Sequence, residues 1–252
     1  MMELIDKQKV AEAFGRAAHS YERHNELQRR SGEALLERLP ARAGTGLDLG
    51  CGSGWFLPAL KHRAGRLLAL DLSPAMLQQA AAKAEVEPIC ADMDRPPLPE
   101  HSLDFIFANL CLQWSADPAA WLAQWSGRLR SGGVMVFSTL LAGSLHELEA
   151  AWRQVDDHTH INRFIEPERL ESHLAATGRR WRLERADIHL AYPELRGLLL
   201  DLKGIGANRV NGDRRPGLLG KDAWQRLNLT YPKNNQGHCV ASYRLAYGVI
   251  YG

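Results

Sequence analysis

The sequence contains few cysteines and no long apolar run, and each absence excludes a class of protein. Only four of its 252 residues are cysteine, and no two of them form a CxxC pair. A zinc module or a disulfide-linked secreted domain is therefore not expected, and we predict reduced, mostly buried thiols and no metal site. No segment approaches the ~18 consecutive apolar residues that a membrane-spanning helix needs. The sequence therefore predicts a protein without a transmembrane helix.

Charge of one sign is also scarce, because 31 Lys and Arg residues nearly balance 29 Asp and Glu residues. The formal net charge of +2 gives no indication of a nucleic-acid-binding or membrane-surface protein. Hydrophobic residues make up 45% and charged residues 24% of the chain, as in ordinary globular proteins. The first ten residues carry charged side chains and lack the apolar core of a signal peptide, so we expect a cytoplasmic protein.

Strand and helix signals alternate through the central part of the chain. Five short apolar segments are predicted to be strands: Gly46–Gly50, Arg66–Asp71, Pro88–Ala91, Leu103–Ala108 and Val134–Thr139. Helices are predicted between them, and one begins with Ser73 as its N-cap and Pro74 as its first residue. This alternation predicts an α/β fold in which helices cover both faces of a parallel sheet.

The segment before the first strand is predicted to be helical. Apolar residues recur there every three to four positions over residues 7–39, with a break near residues 19–25. Because these residues precede the sheet, they are free to cover a ligand cleft. We therefore expect residues 1–40 to form a helical lid.

The alternation is lost after residue 140. Ser144 and Glu147 have the spacing of a capping box and predict the start of a helix. The elements predicted beyond it are a helix over 166–176 and strands over 181–190 and 240–250. Residues 191–236 fit no strand–helix period, and no linker or repeat is found. Residues 1–252 are therefore predicted to form a single domain.

The most informative segment is the glycine-rich turn Asp48–Gly54, which ends the first predicted strand. Clustered glycines allow a sharp turn and let a bare backbone lie against a ligand, although a turn without a ligand is the alternative. A dinucleotide-binding GxGxxG pattern would need Gly or Ala at position 55, which is Trp55. The observed G-x-G-x-G pattern therefore argues against a nicotinamide or flavin cofactor.

Two acidic residues accompany this turn. Asp48 lies within the strand, where it would repel a pyrophosphate but could receive the amino group of a ligand without phosphate. Alternatively, Asp48 could organise the turn by accepting backbone N–H groups. Asp71 follows 23 residues later, near the ~20-residue offset at which an acid binds ribose hydroxyls. The pair favours a cationic ligand that carries a ribose.

These features and three later segments resemble the class I S-adenosylmethionine-dependent methyltransferases. The segments that carry the resemblance, over residues 44–140, are Asp48–Gly54, Leu70–Met76, Ala91–Met93, Asn109–Trp114 and Leu129–Gly133. The resemblance implies a seven-stranded, mostly parallel Rossmann-like sheet whose last two strands form an antiparallel pair. It also implies that residues 191–236 are a helical insertion beside the substrate face, and that Leu129–Gly133 is a turn before the fifth strand.

The same resemblance implies S-adenosylmethionine as the cofactor. Asp71 would meet the ribose hydroxyls, and Asp92 would meet the adenine amino group. The full set of cofactor-binding residues that it implies is Asp48, Gly50, Gly52, Gly54, Asp71, Leu72, Met76, Asp92, Met93 and Asn109.

A narrower resemblance covers nearly the whole chain. It rests on Phe14–Tyr21 with Leu27 and Gln28, on Asn109–Trp114, on His160–Phe164 and on Leu202–Ala207. Together these segments resemble the malonyl-acyl carrier protein O-methyltransferases of biotin synthesis. That family methyl-esterifies the free carboxyl of a malonyl thioester. The alternatives are a methyltransferase of a small carboxylic acid or quinone precursor and a non-catalytic regulator that binds the cofactor.

The chemistry expected of such an enzyme is modest. A carboxylate is already ionised at neutral pH, so no general base is needed, and catalysis should come mainly from alignment. A bidentate arginine clamp would occupy both carboxylate oxygens, so single-point contacts are expected. The residues that we expect to contact the substrate are Tyr21, Trp114, Arg163 and Lys203.

Each of these four residues also has a purely structural alternative. Tyr21 lies on an apolar helical face and could pack in the core, and Trp114 could simply form a wall of the pocket. Arg163 could form a surface ion pair. Lys203 could be a cation at a helix C-terminus.

Two further features concern metals and partners. His158 and His160 follow two aspartates, and a solvated polar loop is favoured there over a metal site. Residues 179–226 hold eleven Lys and Arg residues against six acidic ones, a local charge of +5 in a chain of net charge +2. Acyl carrier proteins are acidic, so this segment is predicted to be their docking face. A solvated insertion is the alternative.

Overall fold

The computed structural model describes residues 7–18, 20–204 and 220–252. Its centre is one sheet with the strands β1 Ala43–Leu49, β2 Ala64–Asp71, β3 Glu87–Cys90, β4 Leu103–Ala108, β5 Leu129–Leu140, β6 Trp181–Tyr192 and β7 Cys239–Tyr251. The strands lie in the order β3-β2-β1-β4-β5-β7-β6. Strands β1 to β5 pair in parallel, whereas β7 is antiparallel to both β5 and β6. The predicted seven-stranded, mostly parallel sheet is confirmed.

Helices surround this sheet in the described ranges. They are α1 Lys7–Ala17, α2 Glu26–Leu36, α3 Leu57–Lys61, α4 Pro74–Ala81, α5 Pro118–Gly127, α6 His146–Trp152, α7 Pro167–Ala176, α8 Leu195–Gly204 and α9 Lys221–Thr230. Two short 3-10 turns occupy Tyr21–Arg23 and Leu112–Trp114. The predicted break in the N-terminal helical segment lies between α1 and α2. As predicted, Ser73 caps α4, because its hydroxyl accepts the N–H of Met76.

The apolar strands are buried because helices cover both faces of the sheet. Side chains alternate along β4, so that Phe105 and Phe107 pack into the core beneath α2 and α3. Ile106 points to the other face, where Trp121 and Trp125 of α5 are fully buried. Because β1, β2 and β4 are parallel, their carboxyl ends lie together at one end of the sheet, between the two helical layers.

Strand β5 begins earlier than the sequence predicted. Leu129 already pairs with Leu103, and the register then shifts before Val134 pairs with Phe105. The segment Leu129–Gly133 is therefore a bulged start of the strand and not a turn before it. The reason is the C-terminal residue of the chain, because the N–H of Gly252 donates to the carbonyl of Gly133 and extends the pairing.

The capping box predicted at Ser144 and Glu147 is wrong. Leu145 occupies the N-cap position of α6, and no side chain caps this helix. The hydroxyl of Ser144 instead accepts the N–H of Arg244 at 3.0 Å, and the Glu147 carboxylate accepts the N–H of Ser242 at 3.2 Å. Both side chains therefore hold α6 against β7, a partner too distant in sequence for a local pattern to predict.

The described part of the predicted insertion is helical. Residues 191–236 contain α8 and α9, which follow β6 and precede β7. Within the described ranges, no helix has both the length and the apolar character needed to cross a membrane. The assignment of residues 1–252 to a single domain stays a prediction.

Candidate functional site

The glycine-rich turn lies at the carboxyl end of β1, and its three glycines serve different purposes. A Cβ on Gly54 would lie 2.7 Å from the Cα of Ala80, so this glycine permits α4 to pack closely. A Cβ on Gly50 would clash with Cys111 at 2.8 Å. Gly52 differs, since the nearest atom to its Cβ position is the hydroxyl of Tyr21 at 3.8 Å. Gly52 is thus the position at which a ligand could approach the bare backbone.

Asp71 ends β2 and is bonded directly to this turn. Its Oδ2 accepts the N–H of Gly52 at 2.9 Å, and its Oδ1 accepts the N–H of Ser73 at 2.8 Å. Burial raises the pKa of Asp71, and these hydrogen bonds oppose that rise because they stabilise the carboxylate. Asp71 therefore fixes the turn as well as lining the cavity beside it.

Asp48 is the second carboxyl group beside the turn, and it is almost completely buried. Its exposed fraction is 3%, and no donor in the described ranges bonds to its carboxyl group. Burial and the nearby charge of Asp71 raise the pKa of Asp48 from 3.8 to about 8. Asp48 is therefore mostly protonated at neutral pH. It lies behind the cavity surface rather than on it.

A cavity, here called the cofactor cavity, opens at this edge of the sheet. Of the predicted cofactor-binding residues, those that line it are Gly50, Gly52, Asp71, Leu72, Asp92, Met93 and Asn109. Gly54 and Met76 do not line it, because Gly54 packs on α4 and Met76 is fully buried in the core. Their predicted contact with a cofactor stays a prediction.

Two of the lining residues already have partners in the chain. The carboxylate of Asp92 forms an ion pair with Lys7 of α1, which also contacts Asp94. The Oδ1 of Asn109 accepts the hydroxyls of Ser31 and Ser138, at 2.8 and 2.7 Å. Both residues therefore hold N-terminal helices against the sheet: Asp92 contacts α1, and Asn109 contacts α2.

A second cavity, here called the substrate cavity, lies beside the first. It is lined by residues of α2, α6 and α8, of the segment 159–164 and of the turn that contains Trp114. Phe14, Tyr21, Leu110 and Trp114 line both cavities. Phe14 packs edge-on against Trp114, with ring centroids 5.5 Å apart, and lies 6.3 Å from the ring of Tyr21. These aromatic rings form the wall between the two cavities.

Tyr21 is thus brought to the place where groups from the two cavities would meet. Burial raises the pKa of its phenol, and the charges of Asp71 and Asp48 raise it further. The hydroxyl is therefore neutral at any physiological pH. Trp114 packs against Phe14 in the same wall, as expected for a residue that follows β4.

The structure does not bring the two predicted cations into the substrate cavity. Arg163 and Lys203 are both exposed, and neither lines it. Their neighbours do line it, namely Asn162 and Phe164 beside Arg163 and Leu202 beside Lys203. The segments were placed correctly, but the cationic side chains point elsewhere.

Of the two histidines expected in a solvated loop, one is partly buried at a cavity instead. His160 lines the substrate cavity, bonds to the Oδ1 of Asp156 at 2.7 Å and stacks on Trp152 with ring centroids 3.6 Å apart. No group of three or more His, Cys, Asp or Glu side chains in the described part of the chain could hold a metal ion.

Several residues that line these cavities were given no role by the sequence reasoning, among them Phe14, Gln28 and His160. The side-chain oxygen of Gln28 is buried without a hydrogen-bond partner in the described ranges. All three residues lie in segments that carry the narrower resemblance. Membership of those segments was the only signal that could have identified them.

Comparison with known proteins finds a methyltransferase domain over residues 47–137. Several proteins named malonyl-[acyl-carrier protein] O-methyltransferase are similar along nearly their whole length. The one from Serratia marcescens is 41% identical over 249 residues and covers 98% of this chain and 96% of its own. The one from Hamiltonella defensa is 37% identical over 252 residues, with 99% and 96% coverage.

Solved structures of low sequence identity share the fold. The YcgJ protein of Bacillus subtilis superimposes with a TM-score of 0.64 at 13% identity, covering 88% of this chain and 98% of that one. An S-adenosylmethionine-dependent methyltransferase from Thermotoga maritima has a TM-score of 0.55 at 16% identity, with 96% and 99% coverage. At such identities the likeness shows the Rossmann-like methyltransferase fold alone.

Proposed function

We propose, from the premise that this chain belongs to the malonyl-[acyl-carrier protein] O-methyltransferases, that it methylates the free carboxylate of a malonyl thioester carried by acyl carrier protein. The observation that supports this most is the pair of adjoining cavities that share a wall of Phe14, Tyr21 and Trp114. One cavity holds the glycine turn, and the other is mostly apolar. The methyl ester formed would act as a primer for pimeloyl assembly in biotin synthesis.

The residues of the cofactor cavity fit S-adenosylmethionine. Gly52 leaves space where a ligand could lie on the backbone, and Asp71 and Asp92 offer carboxylates to ribose and adenine. Lys7 is the one cation among the described lining residues, and it is already paired with Asp92 and Asp94. A cavity with surplus negative charge suits a cationic cofactor better than a pyrophosphate. When bound, this cofactor supplies an electrophilic methyl group.

The protein's own part in the reaction is then to position groups and exclude water. A malonyl carboxylate is already ionised at neutral pH and needs no general base, so the reaction does not require His160 and Asp156 to act as a base. The rings of Phe14, Tyr21 and Trp114 would shield the methyl from water at the junction of the cavities. Their faces would also stabilise a nearby positive charge.

Mass spectrometry of malonyl-acyl carrier protein after incubation with S-adenosylmethionine tests the function directly. We expect the addition of one methyl group as an ester on the malonyl unit. Free malonate and quinone precursors serve as competing substrates, because methylation of these in preference to the carrier-bound thioester would favour the alternative enzyme. Binding of the cofactor without methylation of any substrate would indicate a regulator.

Replacing Tyr21 by alanine should lower kcat by ~10²-fold, since loss of this wall admits water and loosens alignment. The Tyr21→Phe variant is the matched control, because it keeps the ring and loses only a hydroxyl that never ionises. Turnover of malonyl-acyl carrier protein by the two variants is the measurement. Equal activities of Tyr21→Ala and wild type would assign Tyr21 to packing alone.

We also propose that the carrier protein docks beside the substrate cavity. In the described portion of the predicted basic face, residues 179–226, some of the cations already contact other side chains of this chain. Arg185 is paired with Glu171, and Arg180 stacks on the ring of Tyr251. Arg209, Arg214 and Arg215, which contribute to its charge, lie outside the described residues. Arg196 and Lys203 of α8 are exposed described cations of this segment, and their helix borders the substrate cavity.

Helix α8 presents an exposed stripe of suitable character. Arg196, Leu200 and Lys203 lie at helical spacing on one face, and Leu200 is 47% exposed. Leu199 and Leu202 of the same helix line the substrate cavity. A partner with acidic side chains around an apolar contact would fit this stripe and stand next to the cavity mouth. In this arrangement Lys203 contacts the carrier protein rather than the malonyl group.

Reversing the charge of Arg196 and Lys203 to glutamate should raise the KM for malonyl-acyl carrier protein about tenfold or more and weaken its salt dependence. Turnover of S-malonyl-pantetheine, which lacks the carrier protein, should hardly change. The matched control reverses Arg42 and Lys61, which precede β1 and β2 at the opposite edge of the sheet. Equal losses on both substrates would mean that the stripe serves the fold or the chemistry.

A further inference from the structure

We propose that His160, held between Asp156 and Trp152, is the cation that binds the free carboxylate of the malonyl group. This inference rests on the proposed function and specifies its substrate contact. The sequence assigned this contact to Arg163 and Lys203, which are exposed, whereas His160 lines the substrate cavity.

The cavity lining itself singles out His160. Within the described ranges, the titratable side chains that line the substrate cavity are Tyr21, His160 and Tyr243. Burial raises the pKa of both tyrosines, so neither becomes charged. The lining contains no lysine or arginine in these ranges. His160 is therefore the side chain of this lining that can carry a positive charge towards an anionic substrate.

The contacts of His160 leave one ring nitrogen available. Its Nε2 bonds to the Oδ1 of Asp156 at 2.7 Å, and the side chains are 13% and 17% exposed. The ring lies nearly parallel to Trp152, at an interplanar angle of 5°, which fixes its plane. Its Nδ1 has no hydrogen-bond partner in the described part of the chain. An N–H at that atom would give the single-point contact that leaves the second carboxylate oxygen free to react.

Asp156 is the acidic partner of His160. Burial by itself would raise the pKa of Asp156, but the hydrogen bonds from His160 and from the N–H of His158 lower it below its ordinary value. The Asp156 carboxylate is thus ionised and places a negative charge beside the His160 ring. Asp156 and His158 are the charged or titratable groups in contact from the same segment, and Tyr21 and Tyr243 face the cavity from the other elements.

Binding of two matched ligands tests the assignment without turnover. S-malonyl-pantetheine carries the carboxylate, and its methyl ester has the same shape without the charge. Calorimetry on the full chain without the methyl donor should show that His160→Gln weakens binding of the acid by ~10- to 100-fold, as for a hydrogen bond to a charged group. Binding of the ester should change little.

Two further variants control for folding and for histidine loss in general. Asp156→Asn keeps the ring but removes its counter-charge, so it should weaken binding of the acid in the same direction. His62→Gln removes an exposed imidazole outside both cavities and should bind like wild type. In turnover, His160→Gln should raise KM far more than it lowers kcat.

Equal effects of His160→Gln on acid and ester, or no effect on either, would overturn the proposal. So would normal binding of the acid by Asp156→Asn. Failure of the proposed function has a different signature, because wild-type protein would then leave malonyl-acyl carrier protein unmethylated.

Discussion

Replacing Gly52 by valine should strongly weaken cofactor binding while the protein remains folded. The residue has a φ of +53°, and the space beyond its Cα opens towards the cofactor cavity. A valine side chain would occupy the space in which a ligand could lie on the backbone. It would also strain the turn whose N–H bonds to Asp71. Overpacking of a fitted site predicts an affinity loss on the order of 100-fold.

The matched control is Gly178→Val. Gly178 also has a positive φ, +66°, but a Cβ there would meet no atom within 4 Å. Both variants therefore carry the backbone strain of a β-branched residue, about 1–2 kcal/mol, and only one of them intrudes on the cavity. Calorimetry with S-adenosylmethionine should show normal binding for Gly178→Val. Retained binding by a folded Gly52→Val protein would contradict the placement of the cofactor on this turn.

The cofactor side of the molecule was largely predictable, because its signals are local. A strand that ends in glycines needs positive φ angles over a few consecutive residues, and the spacing from Asp48 to Asp71 reports one strand–helix–strand unit. Gly50 and Gly54 show the limit of that reasoning. Gly50 is required because Cys111 lies close to it, and Gly54 because Ala80 does. No local sequence pattern reveals which neighbour occupies the place of the missing side chain.

For the substrate cavity, the sequence predicted which segments take part but not which of their side chains face inward. The cavity is built from α1, α2, α6, α8 and the segment 159–164, which meet through contacts remote in sequence. Whether Arg163 or its neighbours Asn162 and Phe164 face inward depends on the path of an irregular loop. No helical or strand period governs that path. His160 was missed for the same reason, because Trp152 and Asp156 become its partners only when the turn after α6 is formed.

Asp48 leads to the second large expected effect, which is on stability. A buried carboxyl group whose pKa is raised holds its proton in the folded state over a range of pH in which the unfolded chain has already lost it. For Asp48 this range extends from the ordinary value of 3.8 to about 8. Below it, both states are protonated and the group has no effect on stability. As pH rises through the range, stability is lost, up to a limit on the order of 4 kcal/mol at pH 7.

Replacing Asp48 by asparagine should therefore stabilise the free protein in a pH-dependent way. A protonated carboxyl and an amide bury similar polar groups, so the melting temperatures of variant and wild type should nearly coincide at about pH 4. The variant should melt at increasingly higher temperature as the pH rises towards 8. The exposed Asp187→Asn variant should show no such trend.

The Asp48→Asn variant should be more stable than wild type, but its affinity for the cofactor should be lower. A cationic ligand in the neighbouring cavity favours ionised Asp48, so its binding to wild type at pH 7 should release a proton. Calorimetry in buffers of different ionisation enthalpy measures that release. Asp48→Asn should bind more weakly and release less, and so gain stability while losing function. A constant separation of the melting temperatures across this pH range would show that Asp48 is already ionised in the free protein. Asp48 would then stabilise the turn as a carboxylate, and it would not ionise in response to ligand binding.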